Sequence, residues 1–235
     1  MKKALFILAA AALFLTGCNG FTKTNSEDDT TKNNNNTVVS GLAQYEQKVI
    51  DIKQIPETAV LQDSNSQYAL YVNLEQEPSE DDFEGTYSVW LADTQAGTAI
   101  KVLTTDPSIS APWEQMDKAD SDAVEVPMNL IGTASAAHLL ASDGSKIIVE
   151  GCPDARNIWS YIIDLKTKTA KQLPSTEGVQ LIDYEKQEII ASLYDYYPEG
   201  GRYSYSNAYS FDGKYLRQAS AAHVGLRPRP KGGDG

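Results

Sequence analysis

The 235-residue chain sets 20 Lys and Arg against 32 Asp and Glu, for a formal net charge of −12, and 41% of its residues are hydrophobic. That apolar content and length suit one domain of ordinary size. The acidic balance repels polyphosphate, so no nucleic-acid partner is expected.

The first segment, Met1–Gly17, reads as a signal peptide. Lys2 and Lys3 precede the apolar run Ala4–Leu15, whose twelve residues are too few to span a bilayer. Leu15-Thr16-Gly17-Cys18 then places an aliphatic and two small residues before a cysteine. This resembles the bacterial lipobox, and the resemblance implies cleavage before Cys18, lipid attachment to its thiol and acylation of the new amine. Several acyl chains make a stable bilayer anchor. Removal of Lys2 and Lys3 leaves 18 basic against 32 acidic side chains, a net charge of −14. Asn19 after the cysteine, where an Asp retains enterobacterial lipoproteins in the inner membrane, favours the outer membrane of the cell envelope. Ser26-Glu27-Asp28-Asp29 resembles the acidic surface-export tags of some gut-bacterial lipoproteins, though farther from the cysteine.

Residues 18–37 form the expected tether. Phe21 is the one large apolar residue in Asn19–Thr37, and Asn33–Asn36 form a run. Such a segment cannot offset its ordering entropy, and as a random coil it reaches about 25 Å. The domain is expected over 38–224. Within Val38–Pro56, Leu42, Tyr45, Val49 and Ile52 fit a helix face, whereas Lys48–Ile52 fit a strand that starts or closes the sheet array; the strand is the preferred reading.

Leu139–Pro174 shows the building unit. Leu139 and Leu140 precede the turn Ser142-Asp143-Gly144-Ser145. The β-branched run Ile147-Ile148-Val149 follows, then a loop (Gly151–Asn157), a strand from Trp159 to Asp164, a polar turn and a last strand ending before Pro174. Four short strands with tight turns are an antiparallel meander. The register recurs about 57–105, 136–174 and 178–218. An aromatic stands three residues before an Asp in each copy: Trp90 and Asp93, Tyr161 and Asp164, Tyr209 and Asp212. Repeats of this size and strand number suit β-propeller blades. The turn Ser142–Lys146 before Ile147–Val149, and the run Trp159–Leu165 leading to Gln172-Leu173, resemble WD40-like repeats of the TolB type. The resemblance implies an all-β fold of four-stranded antiparallel propeller-like blades, closed or open, and carries no single activity. Three units are visible where closed propellers have four to eight blades. Either Val38–Pro56 and the insert supply a partial fourth, or the array is open, or the chain is a truncated fragment.

Candidate binding residues lie in the loops. The insert 106–133 holds Trp113, which is either a lid over the array or a binding platform, and an apolar patch at Val124, Val126, Met128, Leu130 and Ile131. Arg156 lies in the loop of the second repeat. The third repeat carries Tyr194, Tyr196, Tyr197 and Arg202 beside carboxylates, a composition used for carbohydrate or peptide recognition. The competing reading packs Tyr194 and Tyr196 across strands against Tyr203 and Tyr205. Acidic runs at Glu75–Gly85 and at Asp117, Asp120, Asp122 and Glu125 lack the spacing of a calcium loop. His138, His223 and Cys152 show no metal-ligand spacing, and no nucleophile elbow or phosphate-cradling glycine motif occurs. Neither metal nor cofactor is expected. With Cys18 lipidated, Cys152 stands alone and reads as a small packed residue. The expected role is non-enzymatic binding or scaffolding of an envelope protein or glycan. The alternative is a glycan-cleaving hydrolase or lyase using carboxylates at the end of the array. Residues 225–235, GLRPRPKGGDG, read as a disordered tail.

Overall fold

The computed structural model describes residues 41–45, 47–77, 85–106, 121–154, 157–175, 177–196 and 200–219. The signal segment, tether, tail, Cys18, Trp113, Arg156 and Tyr197 lie outside them.

Among the described residues, fourteen strands form three antiparallel sheets. Blade I is β2 (Val60–Ser64), β3 (Tyr68–Gln76), β4 (Thr86–Asp93) and β5 (Thr98–Thr104), with β1 (Ile50–Asp51) added outside β5. Blade II is β7 (Ala136–Leu139), β8 (Lys146–Asp154), β9 (Asn157–Asp164) and β10 (Thr169–Gln172), with β6 (Val124–Val126) outside β10. Blade III is β11 (Val179–Asp183), β12 (Glu188–Tyr196), β13 (Arg202–Ser210) and β14 (Tyr215–Ala219). Of the alternatives for a fourth unit, the described residues do not form a partial blade: those of Val38–Pro56 contribute the two-residue β1, and those of the insert contribute β6, each as a fifth strand on an existing sheet. Ile50 pairs with Ala99, and Val126 with Ala170. Both short segments carry an apolar side chain next to an edge strand, and adding to that edge satisfies their backbone polar groups at once. The second-repeat loop is also shorter than expected, because β8 runs through a bulge to Asp154 and β9 starts at Asn157.

The blades are held by their faces. Leu70, Leu91 and Ile100 form one row across β3, β4 and β5 and pack, fully buried, with Ile147, Val149, Tyr161 and Ile163 of blade II. Ile148 and Ile162, on the opposite face of blade II, pack with Ile189, Ala191 and Tyr209 of blade III. Alternation along each strand makes this possible, since a strand buried on both faces needs apolar residues at consecutive positions. Each fully buried Leu or Ile stabilises the stack by about 1.5–3 kcal/mol. No ladder joins blade I to blade III among the described strands, so the array is open.

The outer face of blade I is covered by the chain itself. Ala69, Ala92 and Ala99 form a cross-strand row, and Ile50, Ile52 and Ile55 pack against it. A 3-10 turn at Gly41–Tyr45 buries Leu42 and Tyr45 in the core between blades I and II, and the Tyr45 hydroxyl donates to the Asp143 carbonyl (3.0 Å). The outer face of blade III is different. Its central row is Leu181, Ile190, Ala208 and Arg217, flanked by Ser192 and Ser206, and Arg217 makes a two-pronged ion pair with Glu188 (2.8 Å each). That row ends in a charge, whereas the alanine row of blade I is covered by Ile50, Ile52 and Ile55.

Candidate functional site

In an antiparallel meander the first and third turns share one end and the middle connection occupies the other. Like ends of neighbouring blades meet here. At the tight-turn end, the Asn65 amide donates to the Ser142 carbonyl (3.1 Å), and Lys146 pairs with Asp212. At the loop end, the Tyr194 hydroxyl donates to the Asn157 side-chain carbonyl (2.9 Å).

That last contact opens a polar seam between blades II and III. Tyr194 sits near the end of β12, opposite Ser204 of β13, and Arg202 is the next β13 residue on the same face. The Arg202 guanidinium lies 4.2 Å from the Tyr194 ring centroid, a cation–π stack, and its Nη2 is ion-paired with Glu177. The Ser204 hydroxyl donates to the same carboxylate (3.1 Å). Glu177 is positioned by the backbone: its N–H donates to the Ser192 carbonyl (3.0 Å), and it makes a parallel bridge to Ile158. Arg202 is therefore held from below by an aromatic face and from the side by a carboxylate, an arrangement worth roughly 0.5–2 kcal/mol for the stack alone.

Deeper in the seam lies Glu150. Its Oε1 accepts the Val179 N–H (2.6 Å) and the Ser160 hydroxyl (3.1 Å), and Ser160 in turn contacts Ser175 (3.1 Å). His138 Nε2 stands 4.0 Å from Oε2. Burial pushes the Glu150 carboxyl above its ordinary value, against the lowering effect of the Val179 and Ser160 hydrogen bonds and of His138. Gly178 is needed here twice over. Its φ of +80° suits glycine, and a Cβ would lie 2.8 Å from Glu150 Oε1.

Of the sequence candidates, Tyr194 and Arg202 are brought together. The Tyr196 backbone pairs with Arg202, while Trp113, Arg156 and Tyr197 lie outside the described residues. The register sets Tyr203 and Tyr205 on the opposite face of the sheet from Tyr194, which corrects the cross-strand reading for that ring. They oppose Asp195 and Leu193, and with Leu193 form a small buried cluster on the other face. Cys152 is exposed, not packed, because the irregular register between Gly151 and Asp154 turns it outward. Glu177, Asn157 and Glu150 were not singled out from sequence. The usable signal was the Glu177-Gly178 pair at the entry to β11. Asp122 accepts the Tyr215 N–H (2.8 Å) across blades II and III, and Glu75 pairs with Lys101 (3.3 Å) within blade I, so both carboxylates are engaged in structural contacts. Among the described residues, no group of three His, Cys, Asp or Glu is placed to hold a metal ion.

No family profile and no curated protein matches the sequence. Solved structures do. The β-propeller domain of the Trilobed protease from Pyrococcus furiosus, described as an open velcro topology, aligns at 12% identity and a TM-score of 0.43, over 69% of this chain and 43% of that one. By its strand pairing this chain is an open array of antiparallel, propeller-like sheets. The Pyrococcus horikoshii acylaminoacyl peptidase aligns at 13% identity and a TM-score of 0.41, over 72% of this chain and 26% of that one. An oligogalacturonate lyase in complex with manganese aligns at 13% identity and a TM-score of 0.22, over 70% of this chain and 54% of that one. The array thus spans between a quarter and about half of the length of these proteins. The propeller reading itself stands on the strand pairing above, and these alignments transfer no activity.

Proposed function

We propose that this protein is a lipid-anchored bacterial envelope protein whose β-propeller-type array binds an envelope protein or glycan without transforming it. Cys18 carries the acyl anchor in this reading, and the outer membrane is the site. The observation that supports binding over turnover is the pairing within the loop-end cluster. The Glu177 carboxylate is taken up by Arg202 and Ser204, and Arg202 is stacked on Tyr194. Such a cluster pairs one cation with one carboxylate and holds both side chains in place through several contacts. Preorganised surfaces of this kind cost little entropy on binding.

Full-length protein in detergent, applied to arrays of glycans and purified envelope proteins, tests the reading. Binding without product release is expected, and Arg202→Ala should weaken it roughly 30-fold, the loss typical of an interface hot spot. Release of product, abolished by one Asp or Glu substitution, would instead establish the hydrolase or lyase. In cells, Cys18→Ser should move the protein from the membrane to the soluble fraction and remove its fatty-acid label.

A further inference from the structure

The tight-turn end of the array, opposite the cluster just described, carries two clefts that the loop-end reading leaves unused. The first, of about 310 Å³, lies between blades II and III. Ile162 and Phe211 line it together with the charged ends of Lys146, Lys171, Asp164 and Asp212, and Thr167 stands at its edge. The second, of about 280 Å³, is lined by Asp63, Asn65, Ser142 and Tyr184 near the inner strands β2 and β7. An aromatic pair separates them. The Tyr184 and Phe211 rings stand edge-on at 6.1 Å, one ring lining each cleft.

Tyr184 is 55% exposed, unusual for so large an aromatic, yet it is held in position by its hydroxyl, which donates to the Leu139 carbonyl (2.9 Å). The second cleft's wall is fixed as well: Asp63 Oδ2 accepts the Leu139 N–H (2.8 Å), and the Asn65 amide holds the Ser142 carbonyl. Rigid rings beside converging donors and acceptors suit a ligand with apolar faces and hydroxylated edges. The charges narrow the class further. Asp63, Asp164, Asp212 and Glu125 outnumber Lys146 and Lys171, and Lys146 is already paired with Asp164 (3.7 Å) and Asp212. The Lys171 ammonium is likewise engaged, donating to the Asp212 carbonyl (3.0 Å). Among the lining residues an anionic chain would meet an excess of carboxylates, and both lysines are already engaged.

We infer that these two clefts form a binding groove for a neutral oligosaccharide, with Tyr184 and Phe211 as its stacking wall. The groove is independent of the loop-end cluster, and the experiment separates the two. Full-length protein in detergent micelles is titrated calorimetrically with neutral hexasaccharides of β-1,4-glucose, α-1,4-glucose and β-1,4-mannose. Hexagalacturonate and hexaglucosamine serve as the anionic and cationic comparisons. At least one neutral hexamer is expected to bind with a Kd of about 1 mM or tighter, and Tyr184→Ala to weaken it about tenfold. Tyr184→Phe, which keeps the ring, should retain more of the affinity. Thr167→Trp, on an exposed turn, should block the first cleft without touching the core. Arg202→Ala should leave this binding unchanged whatever it does at the loop end. The inference is overturned if no neutral hexamer binds, if either charged hexamer binds best, or if Tyr184→Ala and Thr167→Trp, shown folded by circular dichroism, bind as the parent does.

Discussion

Four turns of this protein solve one steric problem with nearly the same residues. Asp93 Oδ1 accepts the Gln95 and Ala96 N–H groups (3.1 and 2.9 Å), Asp164 Oδ1 those of Lys166 and Thr167 (2.9 and 3.1 Å), and Asp183 Oδ1 that of Lys186 (3.0 Å). The fourth residue after each Asp is left-handed: Gly97 at φ +68°, Lys168 at +57° and Gln187 at +55°. In the last turn of blade III the cap is Ser210, whose hydroxyl accepts from Asp212 and Lys214 (3.2 Å each), with Gly213 at +78°. Two of these glycines make a test. Gly97→Ala places a methyl in open space, so only the left-handed backbone resists it, at a cost of about 1 kcal/mol. Gly213→Ala adds a clash, since its Cβ would lie 2.6 Å from that of Ala123, and should cost about 2–4 kcal/mol in urea-unfolding midpoints. Equal losses would show that the Ala123 contact yields freely. The repeated aromatic was legible: Trp90, Tyr161 and Tyr209 are all buried on the third strand of their sheets. The Asp three residues on was legible in two blades only. In the third, Ser and Asp can both cap a turn, and spacing alone could not show that Ser210 does so while Asp212 reaches Lys146.

At the scale of elements, the recurring strands were readable because apolar and small residues alternate with period two. What pairs with an edge was not, since β1 and β6 have too few residues for a pattern. The same parity rule explains the error at Tyr203 and Tyr205: residues two apart share a face, but which face opposes Tyr194 depends on hairpin register. The Ala69–Ala92–Ala99 row carries a prediction about an element. These methyls leave a shallow trough that Ile52 and Ile55 fill, tying β1 and its flanking turn to blade I. Ala92 is fully buried. Ala92→Leu should therefore expel the segment, costing about 1–3 kcal/mol by overpacking. Amide exchange should then quicken at Ile52 and Ile55, whose N–H groups bond to Gly97 and Ile52 carbonyls (3.0 and 3.1 Å). Unchanged exchange there would mean that blade I, not its covering segment, gives way.

For the whole molecule, the junction of blades II and III combines an apolar stack, a buried carboxylate and surface ion pairs, and these respond to pH in opposite senses. Asp143, on the tight-turn end, is pushed up by burial, but hydrogen bonds from Lys166 and from the Ser145 hydroxyl and N–H outweigh that and lower it to about 2. Asp212 is lowered chiefly by its hydrogen bond from Lys146. Groups lowered in the fold contribute stability at neutral pH that is lost as pH falls through their folded values. Glu150 works the other way. Its folded value is raised above 4.5, so the folded state takes up its proton more readily than the unfolded chain, and the stability linked to that proton disappears as pH rises through the raised value. Glu150→Gln keeps an oxygen to accept from Val179 and Ser160 without carrying a charge. It should raise the thermal midpoint at pH 7 relative to the parent, with the gain shrinking as pH falls through the raised folded value and gone below 4.5. Asp143→Asn should lower the midpoint at pH 7, with its deficit closing only between pH 3.8 and about 2. Thermal unfolding of both variants from pH 2 to 8 separates the two contributions. A pH-independent effect of Glu150→Gln would show that burial does not raise this carboxyl above its value in the unfolded chain.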